Sequence, residues 1–288
     1  MNTTYAEAFF DTQTSTYSYV VHATGSAQCA IIDPVLDYEP QAAKTSTESA
    51  QKLLDYISKN ELELQWIIET HAHADHMSAA AWIQQQLGGK IAIGAPISVV
   101  QSTFKNIYNL DDSVKTNGEP FDVLFKSGDQ FKIGEMLVDV LHVPGHTPAD
   151  MAYHVHHLGI FVGDTLFLPD VGSARCDFPG GNAEQLYDSA QKILSFPDDT
   201  VLFMCHDYPP AGREEQYSCT VAEQKAHNIH LRDGISKAEF VRMRTERDAT
   251  LALPRLILPS LQVNIQAGKL PAAESDGHRY LKLPLNRF

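Results

Sequence analysis

Cysteine is scarce and scattered. Cys29, Cys176, Cys205 and Cys219 are the only four in 288 residues, and no two stand in a CxxC pair. Such spacing offers neither a disulfide framework nor a thiolate zinc site, so any bound metal must rest on imidazole and carboxylate. Basic residues are also few, 22 Lys and Arg against 36 Asp and Glu, for a formal net charge of −14. A phosphate backbone or an anionic membrane surface would repel such a chain, so neither nucleic acid nor a membrane is expected as a partner. A small anionic ligand is not excluded, because one arginine or a cationic metal can dominate the field of a site. No stretch reaches 18 uninterrupted apolar residues, and the opening MNTTYAEAFF has no basic start followed by an apolar run. The expected location is cytoplasmic. Repeats of solenoid period and low-complexity tracts are missing as well.

What the chain does have is hydrophobic content of 43%, enough for one large core or two modest ones. Short β-rich runs dominate the first third: Tyr17 to Val21, Cys29 to Asp33 ending at Pro34, and Trp66 to Thr70. Residues 35 to 48 are polar and read as loop. Apolar residues at helical spacing (Ala50, Leu53, Leu54, Ile57) predict a helix over 49–58. A second helix is predicted over 77–87, stopped by Gly88-Gly89. Strands are predicted at 91–93, 121–125, 130–133 and 136–143, then a hairpin at 151–156 and 159–162, and a strand at 200–204. Residues 221–228 and 237–250 look helical, and the tail is punctuated by proline.

The chemistry concentrates at Thr70-His71-Ala72-His73-Ala74-Asp75-His76, where a buried strand ends and a helix is about to begin. Alternation along the strand end puts His71 and His73 on one side, and the turn brings Asp75 and His76 back beside them. Neutral imidazole and carboxylate are the donors that borderline divalent metals prefer. Further donors also follow strands: His146 in Pro144-Gly145-His146-Thr147, Asp164 in Gly163-Asp164-Thr165, and His206 in Cys205-His206-Asp207-Tyr208. Gly145 and Gly163 provide tight turns that let the backbone approach the site. A lone His or a lone Gly-Asp would ordinarily be a structural residue. Four pieces in order, each after a strand, are hard to explain that way.

In that order, HxHxDH, PGHT, GD and a late His resemble the metallo-β-lactamase superfamily over about residues 15–210. The resemblance implies an α/β (α+β) fold, an αββα sandwich with the metal at one edge. It implies a single domain over 1–288, with its core at about 15–210 and a C-terminal helical extension over 211–288. Within the superfamily, three features are similar to the persulfide dioxygenases: THAHADH, the segment Gly172-Ser173-Ala174-Arg175-Cys176-Asp177-Phe178 beside that family's GCGRTDF, and His206-Asp207-Tyr208 beside its AHDY. Glu239-Phe240-Val241 to Leu253-Pro254 also matches its C-terminal spacing. Ser173 stands where that family has cysteine and Cys176 where it has threonine. The polar stretch around 36–48 and the tail from Leu258 to Phe288 are longer than in the mitochondrial members, as in a bacterial subgroup named β-lactamase-like hydrolases.

Carried over residue by residue, the dioxygenase resemblance implies one Fe(II) per chain on His71, His146 and Asp164, a facial set that leaves positions for O2 chemistry. The implied reaction oxidises glutathione persulfide with O2 to glutathione and sulfite, as in sulfide detoxification. Arg175 would grip a glutathione carboxylate and Tyr208 would hydrogen-bond the substrate. His73 and Asp75 would act in catalysis, and His73, Asp75, His76 and His206 would steady ligands or waters. The alternative is a second metal on those four, giving a zinc hydroxyacylglutathione hydrolase of glyoxalase II type. A non-catalytic sulfur carrier or sensor would bind metal without turnover, and the intact ligand set speaks against it. Coenzyme A or a protein thiol stays open as the sulfur carrier, and a homodimer is open too. His154 and His156 share a face of their hairpin, with His157 beside them, but no third ligand stands nearby in sequence, so a structural role is expected. Cys205 reads as a buried strand-end thiol, and Cys176 as a slightly better functional candidate because it adjoins Arg175.

Overall fold

The computed structural model describes residues 3–287. From the N-terminus come β1 (Thr4–Asp11), β2 (Thr16–Ala23), β3 (Gln28–Ile32), β4 (Val35–Glu39), β5 (Lys44–Ser46), α1 (Glu48–Lys59), β6 (Glu63–Ile68), β7 (Met77–Ser78), α2 (Ala80–Leu87), β8 (Lys90–Gly94) and α3 (Ile97–Tyr108). There follow β9 (Val123–Phe125), β10 (Gln130–Ile133), β11 (Met136–His142), β12 (Met151–Val155), β13 (Gly159–Phe161), α4 (Ala183–Leu194), β14 (Val201–Phe203) and β15 (Ser218–Thr220). Helices α5 (Val221–His227), α6 (Lys237–Asp248) and α7 (Ile257–Asn264) close the chain.

Two six-stranded sheets face each other, ordered β1-β2-β3-β6-β8-β9 and β10-β11-β12-β13-β14-β15. In the first, β3, β6, β8 and β9 run parallel. A parallel strand is covered on both faces, which is why Cys29 to Ile32 and Ile91 to Ile93 are unbroken apolar runs. In the second sheet, β11 alternates, with Val138 and Val140 buried inward and Asp139 and Leu141 half-buried outward. Between the sheets lie Tyr19, Val21, Ile32, Ile68, Val138, Tyr153, Phe161 and Phe203. The first sheet's outer face packs on α1, α2, α3 and α7 through Leu53, Ile57, Ile83, Val100, Phe104 and Leu261. The second sheet's outer face packs on α4, α5 and α6 through Leu186, Ala190, Ile193, Val221 and Phe240. The layering is therefore helix, sheet, sheet, helix, a mixed α/β architecture. Capping boxes fix two helix starts, Thr220 with Glu223 for α5 and Ser236 with Glu239 for α6.

Several elements differ from the sequence reading. The polar stretch 35–48 is not loop: β4 pairs with β5 and with β7 in a small third sheet. Its polar residues face outward, so no apolar alternation announces it. Met77 and Ser78 belong to that sheet rather than to α2. Strand β1 escaped notice because it is an edge strand with half-exposed side chains. Helix α3 is rich in β-branched residues, Ile97, Val99, Val100 and Thr103, which lowers its helical signal. Helix α7 carries Pro259 in its first turn, where the missing N–H costs nothing.

Candidate metal centre

The strand ends deliver the predicted residues to one place. His71 and His73 have ring centroids 4.0 Å apart, and His73 and His76 are 4.2 Å apart. His146 follows β11 and meets His71 edge-on at 5.2 Å. Asp164 sits in a 3-10 turn after β13, with Oδ2 at 3.6 Å from His146 Nε2 and 3.9 Å from His71 Nε2. His206 follows β14, with Nε2 at 3.4 Å from Asp164 Oδ1 and 3.3 Å from Asp75 Oδ2. The glycines act as expected. A Cβ on Gly145 (φ +149) would run into the backbone of Leu186 in α4, and one on Gly163 (φ +54) would press on Thr70.

Each imidazole is fixed by one nitrogen and offers the other. His146 Nδ1 donates to the Arg175 carbonyl at 2.8 Å, His76 Nδ1 to the Met77 carbonyl at 3.1 Å, and His206 Nδ1 to the Ser15 carbonyl at 3.2 Å. The Thr70 hydroxyl donates to Asp33 Oδ2 at 2.8 Å and accepts from His71 Nδ1 at 3.0 Å. His73 Nε2 donates to Asp33 Oδ1 at 3.0 Å. The remaining atoms, His71 Nε2, His73 Nδ1, His76 Nε2, His206 Nε2, Asp75 Oδ2 and Asp164 Oδ1, are buried without a hydrogen-bond partner. Leaving so many polar atoms unpaired is costly unless a cation takes their lone pairs. One compact group is His71, His146 and Asp164, whose donor atoms lie within 4.8 Å of one another, and His73, Asp75 and His76 form another. The donors and their orienting partners fit a divalent metal.

Electrostatics divide the rings into two classes. Burial, reinforced by the other imidazoles, holds His71 well below the usual imidazole range. Burial likewise lowers His76 to about 4, so both rings are neutral, as metal ligands must be. Burial would lower His73 too, but the charge and hydrogen bond of Asp33, with Glu69 beside it, lift it well above the usual range. For His206, burial is overcome by Asp75, Cys205 and Asp164, and its affinity for a proton rises. These carboxylates create the pull that a metal would share.

Over the centre opens a cavity of about 470 Å³, with Asp75, His146, Asp164, Tyr208, Phe167 and Phe178 in its wall. Tyr208 is half-exposed and stacks on His206 at 5.7 Å. Arg175 lines the cavity, but its bidentate face is spent on Asp177, with both bonds at 2.6 Å, and a third bond goes to the Ala252 carbonyl. The two-pronged grip expected for a ligand carboxylate is thus already occupied, and one hydrogen remains on each terminal nitrogen. Arg247 and Arg255 also line the cavity, exposed, and their guanidinium groups make no hydrogen bond or ion pair among the described residues.

The loop 172–178 is held from behind. Arg244, fully buried, bonds Asp248 at 2.7 to 2.9 Å and the Ser173 carbonyl at 3.1 Å. Asp248 Oδ2 accepts from the Cys176 amide at 2.8 Å. Cys176 and Cys205 are buried, and burial pushes both thiols up, so neither is a ready nucleophile. His230 Nδ1 accepts from the Ser173 amide at 3.1 Å, and burial with the nearby Arg244 and Arg247 lowers it to about 4. An unfolded His titrates near 6.5, so between about pH 6.5 and 4 the unfolded state binds the extra proton and folding weakens as pH falls. His230→Gln is expected to remove about 2 kcal/mol of the stability lost between neutrality and pH 5, measured by urea unfolding at both pH values. An unchanged pH slope in the variant would refute this role.

Sequence reasoning missed Asp33, Glu69, Asn264, Arg244, Asp248, Arg247 and Arg255. Two signals were available: an acidic residue closing an apolar run, Ile31-Ile32-Asp33 and Ile67-Ile68-Glu69. Asn264 had none, yet from α7 its amide donates to the carbonyls of His73 and His76, both at 2.8 Å, while its oxygen accepts from Ser78.

The model of the metallo-beta-lactamase superfamily matches residues 11–206. The chain belongs to that superfamily. It is 48% identical to glyoxylase B2 of Dictyostelium discoideum, with 97% of this chain and 96% of that protein covered. It is 26% identical to the mitochondrial persulfide dioxygenase ETHE1 of Homo sapiens, over 90% of this chain and 87% of the relative. Among solved structures it is similar to ETHE1 from Myxococcus xanthus, with a TM-score of 0.74 and 28% identity, covering 92% of this chain and 100% of that one. The αββα layering and the His and Asp clusters at the sheet edge fit this membership. No helix among the described residues is long and apolar enough to cross a membrane.

Proposed function

We propose that this chain is an iron-dependent dioxygenase that converts glutathione persulfide, O2 and water to glutathione, sulfite and two protons, with one Fe(II) on His71, His146 and Asp164. The observation that carries this reading is the close group of His71 Nε2, His146 Nε2 and Asp164 Oδ2, with His146 and Asp164 in the wall of a cavity that also bears unpaired arginines. Two imidazoles and one carboxylate leave several positions open, the donor set suited to Fe(II) and O2. When bound, the iron supplies the redox chemistry with O2 that no side chain can provide. The persulfide dioxygenase among the relatives and the ETHE1 structure covered along its whole length support the same reaction.

The chain's own residues bind, orient and handle protons. Arg247 and Arg255 neutralise the glutathione carboxylates, with the two spare hydrogens of Arg175 beside them. Tyr208 donates its hydroxyl toward the persulfide. His206 Nε2 takes up a proton released in the reaction, with Asp75 Oδ2 in reach to hold the charged ring, and His73, locked by Asp33, holds the floor of the site. The domain is proposed to span 1–288, because α7 delivers Asn264 to the metal loop. Charge-assisted contacts contribute about 1.5–3 kcal/mol each. Arg247→Ala with Arg255→Ala is therefore expected to raise KM for glutathione persulfide more than about tenfold while kcat stays near its value. A double variant with unchanged KM would remove these arginines from recognition.

One observation favours a second reading. His76 Nε2, His206 Nε2 and Asp75 Oδ2 are also unpaired beside Asp164, and with His73 they could hold a second metal, as a zinc thioester hydrolase requires. The name of the Dictyostelium relative points the same way. Metal analysis of anaerobically purified protein, with O2 uptake on adding glutathione persulfide, separates the two. One iron per chain with O2 consumption and sulfite is the expected result. Two zinc ions, no O2 uptake and cleavage of S-acylglutathione would overturn it.

A further inference from the structure

At the far end of the β12–β13 hairpin from Asp164, the outer face of the second sheet carries another group of donors. Gln130, Asp139 and His154 form one row across β10, β11 and β12, since Gln130 pairs with Asp139 and Asp139 with His154. His156 lies two residues beyond His154, on the same face. Its Nε2 is 2.7 Å from Asp139 Oδ2, and His154 Nδ1 is 3.3 Å from the same oxygen. The third ligand that looked absent in sequence is thus supplied by the neighbouring strand.

We infer that Asp139, His154 and His156 form a peripheral site for a borderline divalent cation of the Zn²⁺ class. The three donor atoms lie within 4.8 Å of one another. Bonds of about 2.0–2.2 Å to zinc place tetrahedral ligands roughly 3.3 Å apart, so the spacing needs only a small side-chain adjustment. Imidazole donors select zinc-like ions over calcium or magnesium. The group is also braced. Gln130 Nε2 donates to Asp139 Oδ1 at 2.6 Å, fixing the carboxylate plane and leaving Oδ2 for the cation. The two imidazoles stack at 4.9 Å, and Phe196 packs edge-on against His154 at 5.0 Å. The side chains of Asp139, His154 and His156 are 28%, 22% and 34% exposed, so an ion can enter from solvent and keep water in its remaining position. All three stand on paired strands or directly beyond one, so little order has to be gained on binding. The site is independent of the reaction assigned to the main centre.

The test is calorimetric titration of Zn²⁺ into the holoenzyme at neutral pH, with resident metal measured before and after. The wild type is expected to bind one Zn²⁺ per chain beyond its resident metal, without displacing it. Asp139→Asn and His156→Gln are each expected to weaken that event at least tenfold, while catalytic turnover and resident metal are unchanged. His156 is exposed enough for its variant to fold even if the Asp139 variant does not. No extra equivalent in the wild type, or equal affinity in the folded variants, would overturn the site.

Discussion

Replacing His146 with alanine is expected to strip the catalytic metal and abolish turnover with it. A structural zinc ion is worth about 10–16 kcal/mol spread over three or four ligands, so by that scale one ligand carries roughly 3–4 kcal/mol, on the order of a few hundredfold in affinity. His146 contributes twice. Its Nε2 faces Asp164 Oδ2 at 3.6 Å, and its Nδ1 donates to the Arg175 carbonyl, tying the ring to the loop that forms the cavity wall. Losing the ring also frees that carbonyl, which a metal-independent structural role would reveal as lower stability alone. The measurement is metal per chain after dialysis against a graded chelator, with unfolding of the metal-free protein followed in parallel. The expected result is a much weaker metal with a modest stability change. A variant that keeps the wild-type metal affinity would remove His146 from the ligand set.

The contrast between what the residues announce and what the fold adds is sharpest around this centre. That HxHxDH, His146, Asp164 and His206 come together was legible because their residue types are those a metal site would need and because each piece follows a strand. The layering was legible only through the family resemblance that those motifs carry, whereas individual strands were legible because β3 and β8 are largely apolar, β6 ends in Trp66-Ile67-Ile68 and β11 alternates. The supporting residues were not. Asp33 reads as a strand end before Pro34, and only the parallel pairing of β3 with β6 brings it under His73. Arg244 and Asp248 belong to a helix with a weakly apolar face, and nothing in their spacing says that they brace a loop some 70 residues earlier. Arg175 shows the converse: its motif marks the cavity, but Asp177, two residues on, takes the bonds expected for a substrate. Asp139 with His154 and His156 is likewise a product of strand register.

Asp33→Ala is expected to be the most damaging change outside the proposed ligands themselves. Asp33 takes a left-handed backbone (φ +48) after β3, which turns its carboxylate into the space under the metal loop. There Oδ1 accepts the Thr70 amide at 2.7 Å and His73 Nε2 at 3.0 Å, and Oδ2 accepts the Thr70 hydroxyl at 2.8 Å. Burial would raise this carboxyl, but the charge and hydrogen bond of His73 and the two bonds from Thr70 outweigh it and hold it below the usual carboxylate range. The stability this contributes is present above the ordinary carboxylate pKa and is lost as pH falls through the lowered folded value. Removing the carboxylate leaves the Thr70 amide unpaired and the buried His73 Nε2 with only the more distant Glu69 at 3.4 Å, which costs about 3–5 kcal/mol. Against a total of about 5–15 kcal/mol, that is a large share. The metal should weaken too, by about 10–100-fold, because His73 and, through Thr70, His71 lose the groups that fix their tautomers. Asp33→Asn keeps the volume but offers a single acceptor atom, so it should recover part of the stability and little of the orientation. Urea unfolding of the metal-free protein and chelator competition on the loaded protein measure the two effects separately. A loss under about 1 kcal/mol in the alanine variant, below what one unpaired buried polar group costs, would show that Asp33 is not the support on which the histidine loop rests.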